Sequence, residues 1–326
     1  MNIKTIGILL TVGALFISNA CAPHFHIALL GTEQIQEVVL KPSKSKNKIL
    51  VLNLRGVISS TAYTRLLKKD DSMISRIYHR LEKASEDPFI KGVILRLDTP
   101  GGEVTATDIL YTEILNFKKK TNLPVVALMM GISASGGYYV SSACDSIIAH
   151  PSTITGSIGV ISIFPDFHQL MDQVGIQVNV IKSGKMKDAG SSFKELSSKE
   201  QDIFQGIVND FYQKFLDAVY RNRKNVLSKK ELKELADGRI YTASQALRLK
   251  LIDEIGYFHT AQNEIKRLAG IKDAQVVTYT YHPYKTTNIY STDSNKTDVF
   301  KENTYSKLFP SLTTGFYYLW LPRIDR

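Results

Sequence analysis

The chain has 326 residues, 44% of them apolar and 22% charged, with a formal net charge of +10. That is globular composition, long enough for one large domain or two small ones with a real core. Two cysteines, Cys21 and Cys144, exclude a disulfide framework, and the seven histidines contain no H-E-x-x-H pattern, so neither a metal nor another cofactor is expected.

The positive excess reads as lysine on solvated faces, or as attraction to an anionic membrane surface or an acidic partner. No zinc-finger spacing, RNP-like segment or basic heptad supports nucleic acid. At the amino terminus a short region carrying Lys4 precedes an apolar run from Ile6 to Ile17, then small residues. This reads as an export signal or a signal anchor over 1–21. The run is short for a full span, which needs roughly 20 residues. Ser18-Asn19-Ala20 suits a cleavage site, and Cys21 suggests lipid attachment. The expected location is therefore the inner membrane, with the remainder on the extracytoplasmic, periplasmic side.

Residues 22–48 end in KPSKSKNK and read as a linker, with the folded domain expected over 49–275. ILVLNLRG (49–56) reads as a buried strand, and Ile74, Ile77 and Leu81 at helical spacing predict a helix from Met73 to Ser85. GVILRLDTPGGEV (92–104) is a strand entering a Gly-Gly turn, and Ala106 to Lys119 is helical. LPVVALMM (123–130) is a third strand, GGYYVSSACD can start a helix, and SIIAH (146–150) is a fourth strand. This alternation implies an α/β fold with mostly parallel strands joined by crossovers. QVNVIKSG (177–184) reads as a short strand. Ser197 with Glu200 forms a capping box before a long amphipathic helix carrying Ile203, Ile207, Phe211, Phe215 and Val219. RNRKNVLSKKELKEL is a charged, solvated helical segment, and Ser244 to Leu251 is a further helix. Residues 276–326 read as a tail, polar from His282 to Asn303 and closing in GFYYLWLP (315–322) with exposed-looking aromatics.

The stretch GISASGGYYV (131–140) raises the question of a nucleophile, because Ser135 precedes two glycines at a strand end. A hydroxyl needs a base and the developing oxyanion needs donors. The Gly136 N–H is well placed if Ser135 tops a helix, and DTPGG could bring a second backbone donor. His150 and His168 sit in ordinary edge or loop contexts. A buried lysine can serve instead when its pKa falls from about 10.4 to about 7–8, and SGKMKDAGSSF (183–193) sets Lys185 and Lys187 among small residues.

Five blocks, in order, resemble the signal peptide peptidase A (protease IV) family in its short single-repeat form. They are DPFIKGVILRLDTPGGEV, SASGGYYVSSACD, ITGSIGVI, SGKMKDAGSSF and ADGRIYTASQALRLKLIDEIG, spread over Ile49 to Leu268. The resemblance implies a ClpP/crotonase-like fold of repeated β-β-α/βαβ units and a serine endopeptidase with a Ser-Lys dyad. Carried over residue by residue, it makes Ser135 the nucleophile and Lys187 the base, with Ser157 orienting the lysine. Gly102 and Gly136 would form the oxyanion hole, and Gly101, Glu103 and Val104 around Gly102 would pair with substrate backbone as an added strand. The family implies a ring-shaped homo-oligomer whose dyad is shared between protomers, with the 199–221 helix and the closing aromatic segment as candidate contacts, and apolar peptides such as cleaved signal peptides as substrates. The alternatives are a crotonase-like acyl-CoA enzyme and a non-catalytic ring-forming membrane scaffold.

Overall fold

The computed structural model describes residues 35–61, 64–65, 68–69, 71–281, 286–291 and 315–320. The leader expected over 1–21 and much of the 276–326 tail lie outside the described residues.

Strand β1 (Gln36–Lys41) leads into β2 (Lys48–Arg55), and a small ribbon of β3 (Thr64–Arg65) and β4 (Lys68–Lys69) precedes helix α1 (Met73–Glu86). Then come β5 (Ile90–Thr99), β6 (Gly101–Glu103), α2 (Val104–Thr121), β7 (Val125–Ala134) and α3 (Gly136–Ser141). Three short strands follow, β8 (Ser146–Ala149), β9 (Ile154–Gly156) and β10 (Ile161–Ile163), and after them α4 (His168–Gln173), α5 (Ser198–Arg223) and α6 (Lys229–Leu235). The rest is β11 (Ile240–Thr242), α7 (Ala243–Arg248), β12 (Glu254–Ile255), α8 (Phe258–Leu268), β13 (Gln275–Thr280) and β14 (Gly315–Leu319).

The main sheet runs β1-β13-β2-β5-β7-β8-β12, with β9 joined to β7 and β11 to β9. Strands β13, β2, β5, β7, β8 and β12 are mutually parallel along this path, and β1 is antiparallel at one edge. Alternation along the strands sorts the apolar residues to two sides. Leu50, Leu52, Leu54, Leu95, Leu97, Ala127 and Met129 join the core shared with α1, α2, α3 and α5. Ile49, Val51, Ile94, Val126 and Leu128 face Phe258, Ala261 and Ile265 of α8. Both faces are covered, which is why the strands read as unbroken apolar runs. Each fully buried Leu, Ile, Val, Phe or Met among them contributes about 1.5–3 kcal/mol. The mostly parallel sheet with flanking helices is the fold class expected from the sequence.

The helix starts are made by local chemistry. Ser72 caps α1 by accepting from the Ser75 N–H, and the capping box of Ser197 and Glu200 opens α5 as expected. Strand β7 outruns its expected end at Met130. Val126 to Met129 pair with β8, whereas Ile132 to Ala134 pair with β9. The β5–β7 register shifts between Leu97 and Thr99. The sheet therefore changes partners beneath the residue that follows β7, Ser135.

Four expectations are corrected. The stretch read as linker over 22–48 includes β1, laddered to β13, and Ser43 donates to the Asp273 carboxylate; the backbone ladder holds this polar segment to the domain. Residues 177–184 form no strand, because no partner strand lies beside them among the described residues, and Val178, Val180 and Ile181 are exposed. The charged segment after Tyr220 is not all solvated: Arg223 is buried, pairing through both terminal nitrogens with Asp253 at 2.6 and 2.9 Å. The expected 276–326 tail is tied down at three places, the first being its own start, which lies in β13 between β1 and β2. Arg96 donates to the carbonyls of Ile289 and Ser291. The closing aromatic segment is β14, held antiparallel between β10 and β6, with Tyr317, Tyr318 and Leu319 buried within the chain.

Candidate active site

Ser135 follows β7 and is the N-cap residue of α3, with φ 53° and ψ −114°. That region is uncommon for a residue with a Cβ. Its N–H is fixed by the Gly156 carbonyl at 2.7 Å. The two glycines behind it are sterically required. A Cβ on Gly136 would stand 2.9 Å from Thr107 Oγ1 and 3.0 Å from the Gly101 Cα, and one on Gly137 would stand 2.8 Å from Thr99 Cγ2. The result is a tight strand-to-helix turn of the kind a nucleophile elbow makes. Ser135 lines a cavity of ≈ 360 Å³ with Ser157, Asn209, Tyr212, Asp237 and Leu319 among its walls.

Ser157 reaches this cavity through a second special backbone. Its φ is 50° and that of Gly156 is 84°. A Cβ at Gly156 would meet the Tyr241 ring at 2.5 Å, so this turn needs glycine. The Ser157 N–H donates to Arg239 O at 2.7 Å. Beside it, the Arg239 guanidinium holds the Asp237 carboxyl down at about 2, so this wall carries an ionised carboxylate paired with a guanidinium. Among the described residues none hydrogen-bonds the Ser135 hydroxyl.

The expected donor and substrate-pairing residues cluster beside Ser135. Gly101, at φ +100°, accepts from Ile58 N–H and donates to Thr99 Oγ1, and Glu103 N–H donates to Ile58 O. Those groups are taken by the fold. Gly102 lies between them, so by alternation its N–H and C=O face the other way, toward β14. A Cβ on Gly102 would stand 1.9 Å from Ile58 O. Val104 is buried at the first turn of α2 and does not extend the strand.

Lys187 is not among the residues lining the Ser135 cavity. It is exposed, as is Lys185, on the segment 183–193. That segment is anchored at several points. Gly190 is buried at φ +73°, where a Cβ would meet Phe164 at 2.8 Å. Phe167 N–H donates to Ser192 O at 2.8 Å. Asp188, next to Lys187, pairs with Lys182 at 2.5 Å and Lys194 at 3.2 Å, and Lys194 pairs in turn with Glu200 at 2.5 Å. Lys194 and the Ser197 donors hold the Glu200 carboxyl down at about 2. The charge cluster thus ties the Lys187 segment to the start of α5.

Sequence reasoning missed Tyr212, Asn209, Asp237 and Leu319 as cavity walls. The helical spacing of α5 shows an apolar face but not which cavity it walls, and nothing local brings Leu319 to Ser135. Among the described residues no group of three His, Cys, Asp or Glu could hold a metal ion, and no helix is long and apolar enough to cross a membrane.

Comparison with known proteins identifies the family. Residues 117–272 match the model of peptidase family S49. The chain is 33% identical over 262 residues to a putative signal peptide peptidase SppA of Enterococcus faecium, covering 80% of this chain and 75% of that protein. It is 36% identical over 234 residues to a putative protease of Synechocystis sp., covering 72% and 79%. Against Protease 4 of Haemophilus influenzae it is 37% identical over 224 residues, 69% of this chain and only 35% of that longer protein. With a mostly parallel ClpP-like sheet and a serine at a strained strand-to-helix turn, the chain belongs to peptidase family S49, the signal peptide peptidase A family of serine peptidases.

Proposed function

We propose that this peptidase is a membrane-associated endopeptidase using a Ser135–Lys187 dyad shared between neighbouring copies in a ring, and that it degrades apolar peptides such as cleaved signal peptides. The observation that carries this reading is the incomplete site of the single chain. Ser135 and Ser157 line one cavity, and among the described residues no base hydrogen-bonds the Ser135 hydroxyl. Lys187 is exposed on an anchored segment, just after the exposed apolar residues Val178, Val180 and Ile181. Exposed apolar residues of this kind suit an interface with a second copy.

In this mechanism Ser135 Oγ attacks the scissile carbonyl while the neighbour's Lys187 takes its proton. The backbone N–H groups of Gly102 and Gly136 stabilise the oxyanion. Lys187 then gives the proton to the leaving amine, and water hydrolyses the acyl-enzyme. Ser157 accepts from or donates to the lysine amine and so orients it. The apolar run from Ile6 to Ile17 supports membrane attachment on the export side.

A mixing experiment tests the dyad. Ser135→Ala and Lys187→Ala are purified separately, each is inactive on an apolar fluorogenic peptide, and the two are combined under subunit exchange. Recovered activity is expected, because mixed rings hold Ser135 of one copy beside Lys187 of another. No recovery despite proven exchange rules out sharing, and full activity of either single variant rules out the dyad.

A further inference from the structure

We propose that Thr99 is a positioning residue for the peptidase reaction. Its hydroxyl fixes the loop that carries the Gly102 donor, and its methyl group packs against the Ser135 turn. This rests on the reading of Ser135 as nucleophile with Gly102 and Gly136 as oxyanion donors, and it names the side chain that holds those two donors at a set separation.

The first observation is the place of Thr99 in the sheet. It is the last residue of β5 and is fully buried. The β5–β7 register shifts between Leu97 and Thr99, and past the shift Thr99 stands opposite Ser133, just before the serine turn. The ladder between the two strands ends at this pair. One strand then runs through Pro100 into Gly101 and Gly102, and the other runs into Ser135 and Gly136. Thr99 is therefore at the fork from which both expected donors depart.

The second observation is its hydroxyl. Thr99 Oγ1 accepts from the Gly101 N–H at 3.1 Å. Gly101 has φ +100°, a backbone that glycine adopts and other residues rarely do. Its carbonyl accepts from the Ile58 N–H at 2.8 Å, and the Glu103 N–H donates to the Ile58 carbonyl at 2.9 Å. Gly102 is thus held by Ile58 on one side and, through Gly101, by Thr99 on the other. A buried backbone N–H needs an acceptor, and at Gly101 this hydroxyl supplies it.

The third observation is its methyl group. A Cβ on Gly137 would stand 2.8 Å from Thr99 Cγ2 and 3.2 Å from the Thr99 carbonyl oxygen. The Gly136 nitrogen itself lies 2.7 Å from where a Cβ on Gly101 would stand. The two branches of Thr99 therefore reach two different turns, Oγ1 the donor loop and Cγ2 the serine turn. A β-branched side chain is stiff at χ1, so one rotamer fixes both contacts together.

The consequence is chemical. Two backbone donors stabilise an oxyanion only when both N–H groups meet its position at about 2.7–3.1 Å. Thr99 touches neither substrate nor reacting atoms; it acts through Gly101, and a displacement of about 1 Å at a catalytic group costs up to about 10²-fold in rate.

The test is kcat and KM on an apolar fluorogenic peptide, with thermal melts, for the full chain and three variants. Thr99→Val keeps the Cγ2 methyl and removes the hydroxyl, Thr99→Ser does the reverse, and Thr99→Ala removes both. Thr99→Val should lower kcat about 10–10²-fold with KM within about threefold, because a displaced oxyanion donor is felt in the transition state rather than in substrate binding. Thr99→Ser should stay within about threefold of wild type, and Thr99→Ala should fall with Thr99→Val. Labelling of Ser135 by a fluorophosphonate, whose phosphoryl oxygen takes the same donors, should slow in the same two variants. A kcat for Thr99→Val within about threefold of wild type overturns the proposal. So does a loss in Thr99→Ser equal to that in Thr99→Val, which would assign the effect to the methyl, or a raised KM with kcat unchanged, which would assign it to substrate binding. If Thr99→Val does not fold, Thr99→Ser and Thr99→Ala differ by the same hydroxyl and decide by the same criterion. Misfolding of both Thr99→Val and Thr99→Ala beside a folded Thr99→Ser makes the hydroxyl a requirement of the fold and overturns the positioning role. Gly102→Ala, measured alongside, separates the proposal from its premise. Loss in Gly102→Ala with none in Thr99→Val sinks the proposal alone; loss in neither, or a fully active Ser135→Ala, sinks the reading on which it rests.

Discussion

Tyr318 stacks on Tyr139 with 5.1 Å between ring centroids and 20° between planes. Tyr139 follows Ser135 by four residues, so the helix that starts at the serine turn also supplies a ring that packs under β14. Its other neighbours, Tyr111 and Phe215, meet it edge-on at 5.0 Å each. Its hydroxyl donates to Asp108 at 2.6 Å, and burial and that carboxylate hold it un-ionised well above the ordinary phenol range. Tyr139→Ala should cost about 3–5 kcal/mol of stability, and Tyr139→Phe, which keeps the ring, about 1 kcal/mol. Urea unfolding measures both; equal losses would show that the hydroxyl, not the ring, organises this cluster.

The fit of Gly102 against Ile58 gives a sharper prediction. With 1.9 Å between an added Cβ and the Ile58 carbonyl oxygen, Gly102→Ala must push β6 off its place. The variant should stay folded by circular dichroism yet lose about 10²–10³-fold in kcat, the usual cost of one displaced oxyanion donor. Activity within tenfold of wild type would remove Gly102 from the site.

Acid should loosen the start of α5 in a defined window. Glu200 titrates at about 2 in the folded chain against an ordinary 4.5, held chiefly by Lys194 and then by Ser197. A lowered carboxyl stabilises the fold fully above its unfolded value and stops doing so as pH falls through its folded one. The Tm gap between wild type and Glu200→Gln should therefore be constant above about pH 4.5 and close as pH approaches 2. A gap unchanged across that range would mean that the Lys194–Glu200 contact does not persist in solution.

Most strands and helices of the domain were legible because they are driven by local pattern. The runs at 49–56 and 92–99 are apolar throughout since the sheet is covered on both faces, and the Ser197–Glu200 box marks its own helix. The serine turn was legible through its glycines, which leave no room for a Cβ. What escaped was non-local. QVNVIKSG alternates like a strand, but alternation supplies only one side of a ladder and no partner strand arrives among the described residues. GFYYLWLP looked like a loose aromatic end because its partners, Gly101 to Glu103 and Ile161 to Ile163, are more than a hundred residues away. The family resemblance supplied residue roles that spacing alone left open between Lys185 and Lys187.

Cys144 offers a separate use of the packing around α3. It is fully enclosed, and burial pushes its thiol up to about 12, so at neutral pH it is a neutral sulfhydryl shielded from any reagent. Its neighbours Ala143 and Ile147 belong to the same core as Tyr139. A thiol-reactive dye added to a Cys21→Ser chain would therefore label only molecules whose interior has opened. The labelling rate then becomes a built-in clock for exposure of the layer that carries the Ser135 turn, read without adding any probe residue.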